Sequence, residues 1–194
     1  KAVAAGGDAA ALRAALDRQL ALLDEEFAFV AGCNEGGEFM APDKIAQLGT
    51  IAARTWRRTL DDRIGVSHEE KTRKARMPAA PLPATERLLD DKPEHVIERA
   101  PGDRIPADNP WGFKLDVPEL KYNRGELTNL AIGRGTLTEE ERYVINHHIV
   151  QTIVMLSQLP FPKHLKNVPE IAGGHHEKMD GTGYPRRLAR AQMS

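Results

Sequence analysis

Apolar residues along the chain fall into two helical stretches separated by a stretch with no periodicity. Leu12, Leu16, Leu20, Leu23, Phe27 and Val30 recur at spacings of four and three, opposite Arg13, Asp17, Arg18 and Glu25. This pattern predicts an amphipathic helix from about Asp8 to Ala31, with Asp8 as its N-cap and Gly32 as its stop. The stripe is expected to pack within the parent fold; a partner helix, and with it a homodimer, is the alternative. A second helix is expected from Pro42, with Asp43 in its first turn and Ile45, Leu48, Ala52, Trp56 and Leu60 along one face. Ser67-His68-Glu69-Glu70 reads as a capping box for a short third helix.

Between Met77 and Pro118 the periodicity disappears. Eight of the thirteen prolines lie there, from Pro78 to Pro118. Proline fixes φ and lacks an N–H, so this stretch predicts an extended connector anchored by Trp111 and Phe113. Helical patterning resumes near Leu120. Thr138-Glu139-Glu140-Glu141 is a capping box that opens a helix to about Gln158, with Ile145, His148, Ile149, Thr152, Met155 and Leu156 on its buried face. Pro169 opens a further helix bearing Ile171, His175 and His176, which ends at the glycine-rich turn Asp180–Pro185.

Composition narrows the function classes. The 27 Lys+Arg against 28 Asp+Glu give a net charge of -1, which argues against a nucleic-acid coat or a polybasic membrane binder. No apolar run reaches the roughly 18 residues of a membrane span. Cys33 is the single cysteine, so an internal disulfide and a cysteine-based zinc cluster are excluded. A cytoplasmic setting fits this. The chain opens on Lys1 and stops just after a motif, which suggests a piece of a longer protein.

Five of the seven histidines lie between His147 and His176. His68, His95 and His164 read as polar surface residues. His148 falls on the expected buried stripe, with His147 about 100° around the helix. Imidazoles at 175 and 176 diverge by the same angle if both are helical, so they suit two neighbouring ions better than one. Imidazole with carboxylate and water suits Fe or Mn as well as Zn.

At His175 the residues become specific. His175-His176-Glu177-Lys178-Met179-Asp180-Gly181-Thr182-Gly183-Tyr184-Pro185 resembles the HHExxDGxGYP signature of the HD-GYP domain family, and Leu137–Glu141 with His148 resembles its LTPEE element and following metal histidine. The resemblance covers about residues 125–194. It implies a helical HD-superfamily fold and a metal-dependent phosphodiesterase that hydrolyses cyclic di-GMP to pGpG or GMP. It implies a di- or trinuclear Fe or Mn site with His148, His175 and His176 as ligands and the remaining ligands outside this chain. Tyr184 is implied as a substrate contact, and Asp180, Gly181, Gly183 and Pro185 as shapers of its loop, with both glycines free to take positive φ. GGDEF-domain proteins are implied as partners of that loop. Two features of the family are missing, its His-Asp pair and the lysine shortly after it. No His-Asp pair occurs in the chain, and where it is expected the sequence reads Lys114-Leu115-Asp116-Val117-Pro118. Either the site is degenerate or the pair precedes Lys1, which would make residues 1 to about 120 an insertion; the insertion is the expectation.

The resulting expectation is an all-α partial HD-GYP domain: 1–76 a helical extension or insertion, 77–120 a proline-rich connector, and 121–194 the C-terminal part of the domain, inactive by itself. The alternative is a signalling module that binds cyclic di-GMP or a partner without cleaving. Arg186 and Arg187 read as surface charge rather than phosphate contacts, and Glu177 and Lys178 as orienting groups or a solvated face. Gly36-Gly37-Glu38-Phe39, which matches half of a GGDEF signature, reads as an interhelix turn.

Overall fold

The computed structural model describes residues 8–193, which divide into two compact units. One unit runs to His95 and takes in Arg124–Thr136; the other is Val96–Asn123 with the chain from Leu137 onward.

The first unit opens with α1 (Ala9–Glu35), capped by Asp8, whose side chain accepts from Ala10 N at 2.9 Å. The helix does not stop at Gly32. It runs to Gly36, which takes φ +73° and bonds back to Cys33 O. That position suits glycine on two counts, because a Cβ there would also lie 2.9 Å from Thr136 Cγ2. The leucine stripe stands exposed, with Phe27 at 77%, and Cys33 is the buried residue of α1. Gly36–Phe39 is an interhelix turn, tied to Gly133–Gly135 by backbone hydrogen bonds.

Helix α2 (Pro42–Ala52) buries Leu48, Ile51 and Ala52. Its expected continuation to Trp56 and Leu60 is corrected by the structure. The chain leaves the helix at Ala53, and both side chains are exposed. Thr55–Arg58 instead forms strand β1, which pairs antiparallel with β2 (Ala84–Arg87). Thr and Trp favour the pleated conformation, and the ladder is pinned by buried Arg58, whose Nε donates to Glu86 Oε1 at 2.8 Å. Helix α3 (His68–Lys74) is capped by Ser67, and its Lys74 amine is buried between Asp62 at 3.2 Å and Glu94 at 3.3 Å.

The second unit carries β3 (Val96–Glu98) paired antiparallel with β4 (Leu120–Asn123). The strict all-α expectation is therefore amended. Helices dominate, but the proline-dense stretch contributes β2 and β3 at the gaps between its prolines. The short helix α4 (Glu126–Leu130) belongs to the first unit. The Thr138 capping box is complete and opens α5 (Glu139–Asn146). His147 separates it from α6 (His148–Ser157) while keeping right-handed helical φ and ψ. After α6 comes α7 (Val168–Gly174).

Ile149, Val150 and Ile153 of α6 pack with Phe113 in the core of this unit, flanked by Trp111 and Tyr184. The buried stripe of α6 is thus rotated from the expected one: His148 and Met155 are exposed and Ile149 is fully buried. Helix α7 meets α6 at Gly173, where a Cβ would lie 2.8 Å from Ile153 Cγ1. Glycine there lets the two helices approach at a distance that alanine would prevent.

Two outcomes follow from this packing. Ile153→Ala should lower unfolding stability by about 2–4 kcal/mol through the cavity it leaves, and Gly173→Ala by about 1–3 kcal/mol through overpacking; denaturant titration checks both. In the first unit the Arg58 bond holds the Glu86 carboxyl below its ordinary 4.5, with the Lys92 bond adding to it against burial. A depressed carboxylate stabilises the fold above its unfolded value and loses that contribution as pH falls through its folded value. Glu86→Gln should therefore flatten the acid limb of the stability–pH curve below about 4.5 and leave its neutral to alkaline shape unchanged.

Candidate metal centre

Three imidazoles meet where α6 begins and α7 ends. His148 is the first residue of α6, and His175 and His176 follow Gly174. Their ligand-capable nitrogens all lie within 4.8 Å of one another. His148 Nε2 is 3.3 Å from His176 Nε2, and the His175 and His176 ring centroids are 3.9 Å apart. Both follow the end of α7 at Gly174, with His175 still at right-handed helical φ and ψ. His147 faces away from the cluster, with its ring 5.4 Å from Tyr143.

The protonation pattern follows from the backbone. His148 Nδ1 lies 2.5 Å from Ile145 O, and His175 Nδ1 lies 2.6 Å from Ala172 O. A carbonyl oxygen only accepts, so each Nδ1 carries a proton and Nε2 is the remaining ligand-capable nitrogen of each ring, that of His148 lying against His176 Nε2. This is the arrangement by which an outer hydrogen bond fixes the tautomer and orientation of a metal-binding histidine. Burial, reinforced by the neighbouring His175 and His148 imidazoles, holds the His176 pKa below its ordinary value. His176 therefore favours its neutral, ligand-ready form. Its donor set fits a divalent transition metal, and among the described residues it contains no carboxylate.

The Asp180–Pro185 loop is built onto this centre. Tyr184 stacks on His176 with centroids 4.6 Å apart and planes 14° from parallel. Burial raises its phenol pKa. Asp180 Oδ1 accepts from Thr182 N at 2.9 Å and Thr182 Oγ1 at 2.7 Å, and these bonds lower its carboxyl pKa. Gly181 takes φ +78°, as expected. Gly183 does not, and its requirement is steric: a Cβ there would lie 2.5 Å from Glu177 Cα. Pro185 is fully buried, and its carbonyl accepts from Lys114 N at 2.7 Å.

The pattern of the sequence left the role of Glu177 open. It is buried at 9% exposure, and its two carboxylate oxygens accept from Arg186 N at 2.6 Å and Leu188 N at 2.8 Å. It clasps the far side of the loop to the residue next to the tandem histidines. An acidic residue directly after two candidate ligands was the available signal. Gly173 was equally legible, since a glycine pair inside a helix asks for a packing reason. Arg187, at φ 58°, pairs with Asp116 at 2.5 Å, and Asp116 sits in the stretch where the family's His-Asp pair is expected.

Glu177→Ala leaves two backbone donors without their charged acceptor. It should cost about 2–4 kcal/mol in stability and weaken divalent-metal binding by loosening the residue-176 side of the cluster. Glu177→Gln, which keeps one acceptor oxygen, should recover about half of the stability loss. Thermal unfolding and Mn²⁺ titration of both variants check this.

Comparison with known proteins accords with this geometry. Over 92 residues the chain is 45% identical to the 3′3′-cGAMP-specific phosphodiesterase 3 of Vibrio cholerae serotype O1. That alignment covers 45% of this chain and 18% of the curated protein, so the chain spans less than a fifth of that relative. No solved structure gives a significant match. The HD domain profile matches residues 83–194, more than half of the chain. A helical unit whose histidines converge at the junction of two helices, matched over that span, places this chain in the HD domain family.

Proposed function

We propose that this chain is part of a metal-dependent phosphodiesterase that hydrolyses a cyclic dinucleotide. The observation that carries the reading is the convergence of His148, His175 and His176, with His148 and His175 each anchored through Nδ1 to a backbone carbonyl. HD domains are metal-dependent phosphohydrolases, and the relative acts on 3′3′-cGAMP according to its name. The HHExxDGxGYP string supports the HD-GYP branch and cyclic di-GMP as substrate. The relative's name favours 3′3′-cGAMP as the second reading.

His148, His175 and His176 would hold the cations, Fe or Mn by the same resemblance, with further ligands contributed from outside residues 1–194. Bound divalent cations in such a site supply Lewis-acid activation of water and neutralise charge on the phosphoryl oxygens. The chain's own residues do the positioning. Ile145 O and Ala172 O aim two imidazoles. The Tyr184 ring backs the His176 ring, and its edge is the proposed contact for substrate. Asp180, Gly181 and Gly183 hold the loop in register against residues 177–178. Arg187 is engaged by Asp116, which favours a structural role over phosphate binding. The Asp180–Pro185 loop, exposed at Asp180 and Thr182, is also the proposed docking site for GGDEF-domain partners. The described residues contain no helix long and apolar enough to cross a membrane. A cytoplasmic location, where cyclic dinucleotides signal, is part of the proposal.

The test is hydrolysis by the full-length parent protein loaded with Mn²⁺ or Fe²⁺, offered cyclic di-GMP and 3′3′-cGAMP side by side. Linear dinucleotide from one of them is the expected product. His148→Ala, and His175→Ala with His176→Ala, should each reduce turnover by at least the roughly 10–100-fold seen when even an outer-shell partner of a metal ligand is lost. Chelation should abolish turnover, and added metal should restore it. A metal-free protein that binds either nucleotide intact would instead establish the non-catalytic module.

A further inference from the structure

Helix α1 carries an apolar face that no described residue of its unit covers. Every residue from Ala9 to Glu25 is exposed, and burial begins only with Glu26, Phe29, Val30 and Cys33 near the helix's end. Leu12, Leu16, Leu20 and Leu23 are 38–50% exposed, and Phe27 more so. A helix without tertiary packing is marginal in water, and an amphipathic one owes its stability to what its apolar face packs on. The stripe of α1 therefore calls for a partner.

The layout of the stripe selects a second copy of the same helix. Ala9 and Val30, Leu12 and Phe27, and Leu16 and Leu23 are pairs equidistant from a point between Gln19 and Leu20. Two copies laid antiparallel, with a two-fold axis between them at that point, set apolar residue against apolar residue over about 32 Å. The flanking charges obey the same symmetry. Arg13 and Asp24 are 11 residues apart, so they lie only about 20° from each other around the helix, on one flank of the stripe. In the antiparallel pair that flank meets the same flank of the other copy. Arg13 then comes within about 3 Å, measured along the axis, of the partner's Asp24, and the symmetry gives two such ion pairs. In a parallel pair the two residues are about 16 Å apart along the axis. The bond of Arg13 to Asp17 at 3.2 Å joins two exposed side chains and is weak enough to exchange. Glu26, on the other flank, is already neutralised by Arg54.

We infer that α1 is a homodimerisation helix, which pairs antiparallel with α1 of a second copy through Leu12, Leu16, Leu20, Leu23 and Phe27, with Arg13 and Asp24 fixing direction and register. Self-complementarity about one point is what a two-fold interface requires of a single sequence, and an unrelated partner would place no such demand on it. The inference draws neither on the metal centre nor on the phosphodiesterase reading.

The test is sedimentation equilibrium of the full-length parent protein. A helix pair is a small interface, so a monomer–dimer equilibrium with the dimer predominating at about 50 µM is expected. Leu16→Glu with Leu23→Glu puts four carboxylates into the apolar contact and should raise the dissociation constant at least about 100-fold. Arg13→Asp and Asp24→Arg should each raise it about tenfold, because each sets like charges opposite one another twice. The two changes together in one chain should restore wild-type association, since the reversed pairs are again complementary. That rescue is specific to antiparallel pairing, and it decides the question even if the double glutamate variant fails to fold. A protein that stays monomeric up to about 100 µM overturns the inference; it would mean that another segment of the parent covers the stripe. A dimer indifferent to Leu16→Glu with Leu23→Glu, or a charge reversal that does not restore association, overturns it equally.

Discussion

The candidate centre depends on how closely α7 approaches α6. Gly173 rests on Ile153, and that contact sets the end of α7 beside the start of α6. Ile149 and Ile153 are fully buried, so α6 is fixed by its core face and leaves His148 exposed at the edge of that face. Because interiors are close-packed, a methyl group at position 173 must displace the Ile153 side chain or push the helices apart. Bringing three imidazole nitrogens within 4.8 Å of one another is thus first a matter of apolar packing and only then of coordination chemistry.

A second layer of control is polar and local. The carbonyls of Ile145 and Ala172 each lie three residues before the histidine they orient. Each helix end therefore uses one of its own last-turn carbonyls to fix a tautomer. The Glu177 carboxylate does comparable work for the loop by taking two backbone N–H groups on its far side. Gly183 permits the loop to lie directly on residues 177–178. Together these contacts join the tandem histidines, the loop and Tyr184 into one piece, so that a change in the loop reaches the imidazoles through backbone rather than through solvent.

In the first unit, stability and exposure divide differently. Buried Arg58 and Lys74 are each surrounded by carboxylates, in pairs with Glu86, Asp62 and Glu94. Removing one member would strand a buried charge, which costs more than the pair itself contributes. The leucine stripe of α1 is exposed over its length, so the apolar periodicity that most clearly announced a helix is not satisfied by the described residues.

The sequence by itself determined the local elements with their own chemistry: the Asp8 and Thr138 caps, the α2 start at Pro42, the loop from Asp180, and the residues to watch at 148, 175 and 176. These are legible because capping, proline placement and motif strings act over a few residues. The tertiary structure decided the rest. Trp56 and Leu60 kept helical spacing yet left the helix, because Thr55–Arg58 found a partner strand almost thirty residues away. His148 lay on the wrong side of the predicted stripe, because which helix face is buried depends on where Phe113 and α7 press. His175 and His176 meet His148 because α7 packs on α6 at Gly173 and ends beside the start of α6. Periodicity reports which residues share a face; only packing decides which face is inside and what the other one meets.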